Sequence, residues 1–292
     1  MSIRNPFAAN GRWLKANLHA HTTNSDGDTD PGERVQQYAE AGYDILSLTD
    51  HRHITPIEPL EDHGLTLLRS LEAHPDCPGA VAYHLICLNV DRGFSYDEEF
   101  PANELIAEVR EHGGEVIVGH PYWCGHTVGH VLALEDVIGL EVYNATCAKK
   151  GKADSSMFWD YLLATGRMLP AVSVDDVHRG PDIFRGWTMI RAASSKVGDV
   201  MDALRRGSYY ATCGPELHDV RWDDDAISVS CSPVSAIHFM CPGPLGTSVY
   251  ADQPDGLTRA SFSPPDAADY VRVQVEDEKG RRAWSNPFST RH

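Results

Sequence analysis

The sequence predicts an α/β fold in which about seven strand–helix units close into a TIM-like barrel, followed by a small antiparallel β unit. Through about residue 212, short β-rich runs alternate with helical patterns, which is typical of a parallel sheet. The sequence contains no Gly-x-Gly-x-x-Gly motif, which would have indicated an open dinucleotide-binding sheet instead. From about residue 215, apolar and polar residues alternate without helical stretches. We therefore expect a barrel over residues 1–214 and a small β domain over residues 215–292.

The first predicted helix lies in the segment TDPGERVQQYAEAGYD. Asp30 is a suitable N-cap, Pro31 lies in the first turn, Val35 and Tyr38 share one helical face, and Gly42 can end the helix. The run DILSLTDH follows and ends in charged residues, as a buried parallel strand does where it emerges at the rim of a barrel. A helix and then a buried strand are expected here.

The same alternation recurs further along the chain. Helical patterns occupy residues 101–114 and 152–166. The β-rich runs are AVAYHLICLNV, EVIVGHP, IGLEVYN and MLPAVSVDDVH, and the last three end at or near polar groups. In the C-terminal part, EDEKGRRAW predicts a hairpin in which Gly280 supplies a positive φ angle.

The composition disfavours several classes of partner. The net charge of −17 argues against a nucleic-acid polymer or an anionic membrane surface, because both would repel the chain. The N-terminus lacks the apolar core of a signal peptide and no apolar run approaches the length of a bilayer span, so we expect a cytoplasmic protein. Seven cysteines without a Cys-x-x-Cys pair fit reduced, packed thiols. A small molecule is the expected partner.

Two histidines stand at alternate positions in the stretch NLHAHTTNSDGD. If the preceding residues form a strand, side chains two apart point to the same side, so His19 and His21 present two imidazoles together. Two neutral imidazoles suit a divalent metal ion, although His-x-His also occurs by chance. The rest of the chain has to decide between the two interpretations.

Polar side chains accompany the other predicted strands as well, and parallel barrels carry their chemistry at the carboxyl ends of the strands. These residues are His19, His21, Asp26, Asp50, His51, Glu72, His84, His120, Asp176 and His178, and the six histidines among them are together hard to explain as packing or surface residues. The remaining nine of the 15 histidines are interpreted as surface or packing residues: His53, His63, His74, His112, His126, His130, His218, His238 and His292. Two of these, His53 and His74, are each two residues from an expected ligand.

The order of these motifs resembles the PHP (polymerase and histidinol phosphatase) superfamily of metal-dependent hydrolases. The match consists of His-x-His with Ser-Asp-Gly, Thr-Asp-His, a Glu followed by a His on the next strand, His-Pro and a closing Asp-x-His, over roughly residues 13–180. The later segments VGDVMDALRRGSYYATCGPEL and AWSNPF are similar to the carbaryl-hydrolase-like branch. One departure is that Glu72 follows Ser70 and Leu71, where the family usually has Gly or an acidic residue.

The resemblance implies a distorted (β/α)7 barrel that holds two or three divalent ions. By position, the first ion would be bound by His19, His21, Glu72 and Asp176, the second by Asp26, His51 and His178, and the third by His84, His120 and a bridging Glu72. Mixed imidazole and carboxylate ligands without thiolate suit zinc, manganese or iron and do not choose among them.

Such a centre predicts hydrolysis by an activated water. A water that bridges two dications about 3.5–4 Å apart loses a proton near neutral pH and becomes the nucleophile, while a metal polarises the phosphoryl or carbonyl oxygen under attack. Asp50 and Arg179 are the catalytic candidates. Asp50, beside His51, could orient an imidazole or this water, and it could equally be a helix cap at a strand end.

Several cations are expected near the site in an otherwise acidic chain. Lys149 and Lys150 follow the strand GLEVYN, and Arg52 and Arg179 flank expected ligands directly. Together they favour an anionic substrate such as a phosphate, although rim charges are often only solvated surface. Asn144 could orient the substrate or merely end its strand.

Three functions stay open. A phosphoesterase acting on a small phosphorylated molecule comes first, because most of the superfamily that the chain resembles does this and the rim is locally basic. An amide or carbamate hydrolase is second, supported by the branch resemblance and by Tyr122 and Trp123 beside His120, which could bind an apolar group. The third is a metal-binding module without catalysis, and the complete ligand set argues against it.

Overall fold

The computed structural model describes residues 3–223 and 225–290, so that His292 lies outside the described residues. The α-helices are α1 (Pro31–Glu40), α2 (Ala102–Glu111), α3 (Pro121–Cys124), α4 (Val128–Leu132), α5 (Ser156–Ala164) and α6 (Val197–Arg205). Short 3-10 helices cover Pro6–Ala8, Thr146–Lys150 and Gly180–Asp182. The first ten strands are β1 (Arg12–Asn17), β2 (Ile45–Leu48), β3 (Thr66–Arg69), β4 (Leu71–Ala73), β5 (Leu85–Leu88), β6 (Glu115–Val118), β7 (Gly139–Asn144), β8 (Ala171–Val174), β9 (Trp187–Ala192) and β10 (Tyr209–Thr212). The later strands are β11 (Leu217–Asp223), β12 (Ala226–Val234), β13 (Ala236–Met240), β14 (Thr247–Tyr250), β15 (Leu257–Phe262), β16 (Tyr270–Glu276), β17 (Arg282–Trp284) and β18 (Phe288–Ser289).

The strands that carry the expected ligands lie in two sheets. In one, β1, β2 and β3 are parallel neighbours, and the other has the order β4-β5-β6-β7-β8. Parallel bridges join the sheets at two places, Ala20 to Val177 and His51 to Glu72. Only Ser70 separates β3 from β4, so the two act as one interrupted strand. Seven strands therefore follow one another around the core, and the predicted α/β class is confirmed, with single bridges rather than continuous ladders joining the two sheets.

One of these seven strands runs against the expected parallel arrangement. β5 is antiparallel to both β4 and β6. The connection from β4 to β5 covers only residues 74–84, which is shorter than a parallel crossover usually needs. Because β5 is reversed, its first residues lie at the rim where the parallel strands end. His84, immediately before β5, reaches the same rim as residues that follow their strands.

Helix α1 forms where the sequence predicts it. The Asp30 side chain accepts a hydrogen bond from the Gly32 amide at 2.9 Å, and Pro31 begins the helix. Val35 and Tyr38 are fully buried on the face that meets the sheet. The helix ends before Gly42, whose φ of +71° is easily adopted by glycine. Helices α2 and α5 likewise lie within the two other predicted segments.

The C-terminal strands divide between two sheets. β11, β12 and β15 form a three-stranded antiparallel sheet. The others extend the sheet of β1 in the order β14-β13-β16-β17-β10-β9-β1-β2-β3. The predicted hairpin is present between β16 and β17, with Gly280 at a φ of +72°. This sheet continues across the expected boundary between residues 214 and 215, and that boundary stays a prediction.

Two further observations concern cysteines and hydropathy. All seven cysteines are free and buried, as expected for packed thiols. No helix in the described ranges is long and apolar enough to cross a bilayer.

An ion pair with a fully buried arginine joins the C-terminal strands to helix α5. Arg272 in β16 donates from Nε and Nη2 to the two carboxylate oxygens of Asp160 in α5, both at 2.7 Å. The Arg272 side chain is completely buried, and its guanidinium also stacks 4.8 Å from the Trp159 ring. This bidentate pair fixes β16 against α5.

Replacing Asp160 with alanine should lower the free energy of unfolding by about 3–5 kcal/mol, because it leaves the buried Arg272 guanidinium without its partner. Urea unfolding measures the change. The matched control is Asp202→Ala, whose partner Arg206 and own side chain are 53% and 54% exposed, and this change should cost less than about 1 kcal/mol. Equal losses in the two variants would contradict the assigned role.

Candidate metal centre

The first group of expected ligands lies where β1 and β8 end. His19 and His21 follow β1, and Ala20 between them is bridged to Val177, so the backbone is extended here. Their side chains therefore point to one side, and their Nε2 atoms are 3.0 Å apart. Both rings are fully buried. The two imidazoles expected from His-x-His do face one another.

Glu72 and Asp176 complete this group. Glu72 Oε2 lies 3.3 and 3.4 Å from the Nε2 atoms of His19 and His21, and Asp176 Oδ1 lies 3.1 and 3.0 Å from them. Asp176 Oδ1 is buried and accepts no hydrogen bond within the described residues. The donors around a tetrahedral zinc ion lie about 3.3 Å apart. The spacing, and a buried oxygen that accepts no hydrogen bond, both fit a divalent ion.

The second group contacts the first through His21. Asp26 Oδ1 lies 3.3 Å from His51 Nε2 and 3.2 Å from His178 Nε2. The two Nε2 atoms are 3.4 Å apart. The rings of His51 and His178 flank the His21 ring at centroid distances of 4.3 and 4.1 Å. This group is the more open one, since the Asp26 side chain is 60% exposed.

The third group surrounds the other oxygen of Glu72. Glu72 Oε1 lies 2.5 Å from His84 Nδ1 and 3.3 Å from His120 Nε2. Oε2 of the same carboxylate faces His19 and His21. Glu72 therefore occupies a position between two groups, where a bridging ligand would lie.

The backbone is strained at two of these residues. His120 has a φ of +20° and Asp176 a φ of +53°, positive values that are uncommon for residues other than glycine, although histidine and aspartate adopt them more often than most. Strain of this kind costs roughly 1–3 kcal/mol per residue and concentrates at functional sites. Here it accompanies two side chains that point into the cluster.

The charges of the cluster support one another. Burial disfavours the charged form of His21, but the nearby carboxylates of Asp176 and Glu72 outweigh it and raise the pKa of His21 to about 9. Burial likewise opposes the charge on the carboxylates of Glu72 and Asp176. The surrounding imidazoles, of which His19 has the largest effect, nevertheless keep the pKa values of both carboxylates low. Burial lowers the pKa of His84 to about 4. A divalent ion would replace the proton on an imidazole such as that of His21 while the carboxylates stay ionised.

Sequence reasoning missed Glu141, which is 1% exposed in β7. Its Oε1 accepts a hydrogen bond from His19 Nδ1 at 2.7 Å, and its Oε2 accepts from the His120 amide at 2.9 Å. Donation from Nδ1 leaves His19 Nε2 free to bind a metal. A charged residue inside the apolar run IGLEVYN was the signal that could have identified it.

Asn144, like Glu141, is hydrogen-bonded to residues of the cluster. Its Nδ2 donates to Glu141 Oε2 at 2.8 Å and to Asp176 Oδ2 at 3.1 Å, and the residue is 1% exposed. Of the two roles left open by the sequence, neither describes these contacts, because Asn144 holds two carboxylates in place.

Asp50 is fully buried and accepts four hydrogen bonds. The donors are the Thr22 amide and hydroxyl at 2.8 and 2.7 Å, the Ser25 hydroxyl at 2.7 Å and the Thr55 hydroxyl at 2.5 Å. These bonds, led by that of Thr55, lower the pKa of Asp50 against the effect of burial. Ser25 Oγ in turn lies 3.4 Å from His21 Nδ1. Asp50 thus reaches the cluster through Ser25 and holds the loop after His21.

A cavity of about 350 Å³ opens over the cluster. Its lining residues are Asp26, His51, His84, His120, Trp123, Thr146, Cys147, Lys149, Asp176, His178 and Arg179. Arg179 is exposed, and no carboxylate of the described chain pairs with it. Lys149 Nζ donates to Asp182 Oδ2 at 2.6 Å. Arg179 is therefore the cation better able to meet a ligand.

The other expected substrate-binding residues lie elsewhere. Lys150 is exposed and does not line this cavity. Arg52, with a φ of +52°, lines a separate depression. Of the two aromatic residues, Trp123 lines the cavity with its ring 5.3 Å from that of His120, whereas Tyr122 lies under Lys152 Nζ at 5.4 Å.

Glu141→Gln should weaken metal binding about 10- to 100-fold, because the neutral amide orients the His19 imidazole less firmly and its NH₂ group opposes a donor. Competition with a chromophoric chelator measures the affinity for zinc. Glu216→Gln is the control, since that side chain is 69% exposed. An unchanged affinity in Glu141→Gln would contradict the positioning role.

Three comparisons with known proteins bear on this arrangement. No family model matches the sequence. An error-prone DNA polymerase from Rhodopirellula baltica is 27% identical over 220 residues, which make up 71% of this chain and 18% of that protein. A 5'-3' exoribonuclease from Haemophilus influenzae is 33% identical over 82 residues, or 27% of this chain and 30% of that protein. The matched part is less than a third of either relative.

One solved structure is similar over nearly the whole chain. It is a two-domain protein from Bacteroides vulgatus that contains a predicted PHP-like metal-dependent phosphoesterase, with a TM-score of 0.56 and 16% identity, covering 99% of this chain and 98% of that one. The carbaryl-hydrolase-like branch stays a prediction. This chain therefore shares the fold of that protein, and it gathers at one rim the His and carboxylate motifs whose order resembles the PHP superfamily.

Proposed function

We propose that this chain is a metal-dependent hydrolase, and specifically a phosphoesterase acting on a small phosphorylated molecule. The observation that carries the proposal is the convergence of imidazole and carboxylate groups beneath a cavity of about 350 Å³ that an unpaired arginine also lines. A cavity of this size suits a small ligand.

The donor set fits two or three divalent ions. Nitrogen and oxygen donors from the nine expected ligands suit zinc, manganese or iron. Ions bound there would supply an activated water and polarise the bond under attack. Glu141 and Asn144 hold the ligands in place, and Trp123 forms an apolar wall of the cavity.

Arg179 would bind the part of the substrate charge that lies beyond the ions. A phosphate monoester keeps negative charge outside their reach, and a free guanidinium can meet it with two hydrogen bonds. The charge of Lys149 is already balanced by Asp182, so this lysine would contribute less.

Nucleotides belong among the test substrates. The two curated relatives are a DNA polymerase and an exoribonuclease, whereas the net charge of −17 disfavours a long anionic polymer. A mononucleotide or the end of a short oligonucleotide would carry the same phosphate chemistry with less repulsion.

Amide or carbamate hydrolysis is the second candidate. Trp123 is 39% exposed and lines the cavity, where its ring could stack on an apolar acyl or aryl group. A neutral carbamate presents only a carbonyl oxygen and needs no cation beyond the ions. The two candidates therefore differ in their need for Arg179.

We expect the purified protein to contain at least two equivalents of zinc, manganese or iron per chain, because three groups of ligands converge. Inductively coupled plasma mass spectrometry measures the content. Removal with a chelator should lower the Tm, since an ion that binds only the folded chain stabilises it. Less than one equivalent after reconstitution would exclude the proposed metalloenzyme.

Arg179→Met should lower kcat/KM for phosphate esters. The decrease should correspond to a loss of about 1.5–3 kcal/mol of transition-state stabilisation, which is what a hydrogen bond to a charged group contributes. Hydrolysis of an aryl carbamate should barely change. Arg221→Met, on β11, is the matched control because its side chain is 65% exposed and paired with Asp219. The assay compares p-nitrophenyl phosphate, a bis-phosphodiester and an aryl carbamate with the reconstituted enzyme.

Inorganic phosphate should also inhibit the wild type more strongly than Arg179→Met. If phosphatase efficiency were the same in both proteins, the main argument for phosphate would be lost, and the amide or carbamate function would take first place.

A further inference from the structure

We propose that His74 is a fourth donor to the third ion position, together with Glu72, His84 and His120. The proposal rests on the metal-dependent function proposed above, and its test measures metal binding rather than turnover. His74 is one of the histidines that the sequence analysis interpreted as surface or packing residues.

The backbone places His74 beside Glu72. Glu72 lies in β4, which ends at Ala73, and His74 is the next residue. Side chains two apart on an extended chain point to the same side, which is also how His19 and His21 come together. His74 therefore enters the cluster by the same alternation, two strands away from β1.

A ring nitrogen of His74 also lies near the oxygen that His84 and His120 surround. His74 Nε2 lies 3.6 Å from Glu72 Oε1, compared with 2.5 Å for His84 Nδ1 and 3.3 Å for His120 Nε2. The His74 ring stacks on that of His84 with centroids 4.0 Å apart and planes 29° apart. Three imidazoles and one carboxylate oxygen make up the number of donors that a tetrahedral zinc site uses.

A second contact of His74 has to be considered. His74 Nε2 also lies 3.1 Å from His51 Nδ1, so His74 could instead orient His51 at the second ion position. However, His51 Nδ1 is closer to Glu72 Oε2, at 2.8 Å, and can donate its proton there. The lone pair of His74 Nε2 is then free for an ion.

Burial separates His74 from the similar residue His53. The His74 side chain is 11% exposed, whereas His53 is exposed. Both are two residues from an expected ligand, and both follow a strand end. His53 is therefore a matched control for a histidine near the site that does not face the ions.

The experiment titrates metal-free protein with Co²⁺ and follows bound equivalents by mass spectrometry of the metal and by the visible spectrum. The variants are His74→Phe, His84→Ala, the double variant and His53→Ala. Phenylalanine keeps a ring against His84 but has no nitrogen. Wild type and His53→Ala should bind three equivalents. His74→Phe should bind the third at least about tenfold more weakly, with a changed cobalt spectrum.

The double variant decides between the two contacts of His74. If His74 binds the ion at the third position, adding His74→Phe to His84→Ala should not reduce the number of bound cobalt ions any further. If it orients His51, the double variant should lose a second equivalent, and the proposal is overturned.

Two other results would overturn it: an unchanged third affinity in His74→Phe, and a wild type that binds only two ions. Far-UV circular dichroism checks each fold, and His74→Gln replaces His74→Phe should the latter fail to fold. A chain that binds three ions in this pattern but hydrolyses no substrate would end the proposed function and leave this inference intact.

Discussion

The carboxylate of Glu72 is the group on which the rest of the site depends. It is completely buried, and nitrogens of six imidazoles lie within 3.6 Å of its oxygens: those of His19, His21, His51, His74, His84 and His120. An unpaired carboxylate in such a place would cost several kcal/mol. Positive charge around it, on protonated imidazoles or on divalent ions, therefore stabilises the folded site. The histidines are gathered where that charge is needed.

The barrel-like arrangement of strands makes this gathering possible. Residues far apart in sequence meet because the ends of neighbouring strands share one rim, and the bridges Ala20 to Val177 and His51 to Glu72 tie the rim together. The reversed strand β5 obeys the same geometry, because its beginning, at His84, lies where the ends of the others do. Glu141 then connects two of the ligand groups from within β7. The direction of a strand matters less to this site than which of its ends reaches the rim.

Local rules in the sequence predicted much of this arrangement. Alternation on an extended chain brought His19 and His21 together, and capping residues located α1. The reversal of β5 was missed because it depends on the length of one connection rather than on the residues of the strand. Glu141 was missed because its role arises from contacts with residues that follow other strands. His74 obeys the same alternation as His19 and His21, but it was interpreted as a surface or packing residue. The positions of Arg52 and Lys150 depend on loop geometry, which no periodic pattern describes. The ligands at strand ends could therefore be predicted from the sequence, whereas residues that hold those ligands in place from within a strand could not.

The continuous sheet from β14 to β3 also bears on how the chain can be shortened. β17 pairs with β10 through Ala211 and Thr212, and β10 in turn pairs with β9, the antiparallel neighbour of β1. Cutting the chain after Cys213 would leave the outer backbone groups of β10 without partners, beside a barrel that has also lost the partner of Asp160. An uncovered strand edge is a template for pairing with another chain. A chain shortened in this way would therefore tend to self-associate through β10, an edge that β17 covers in the full chain.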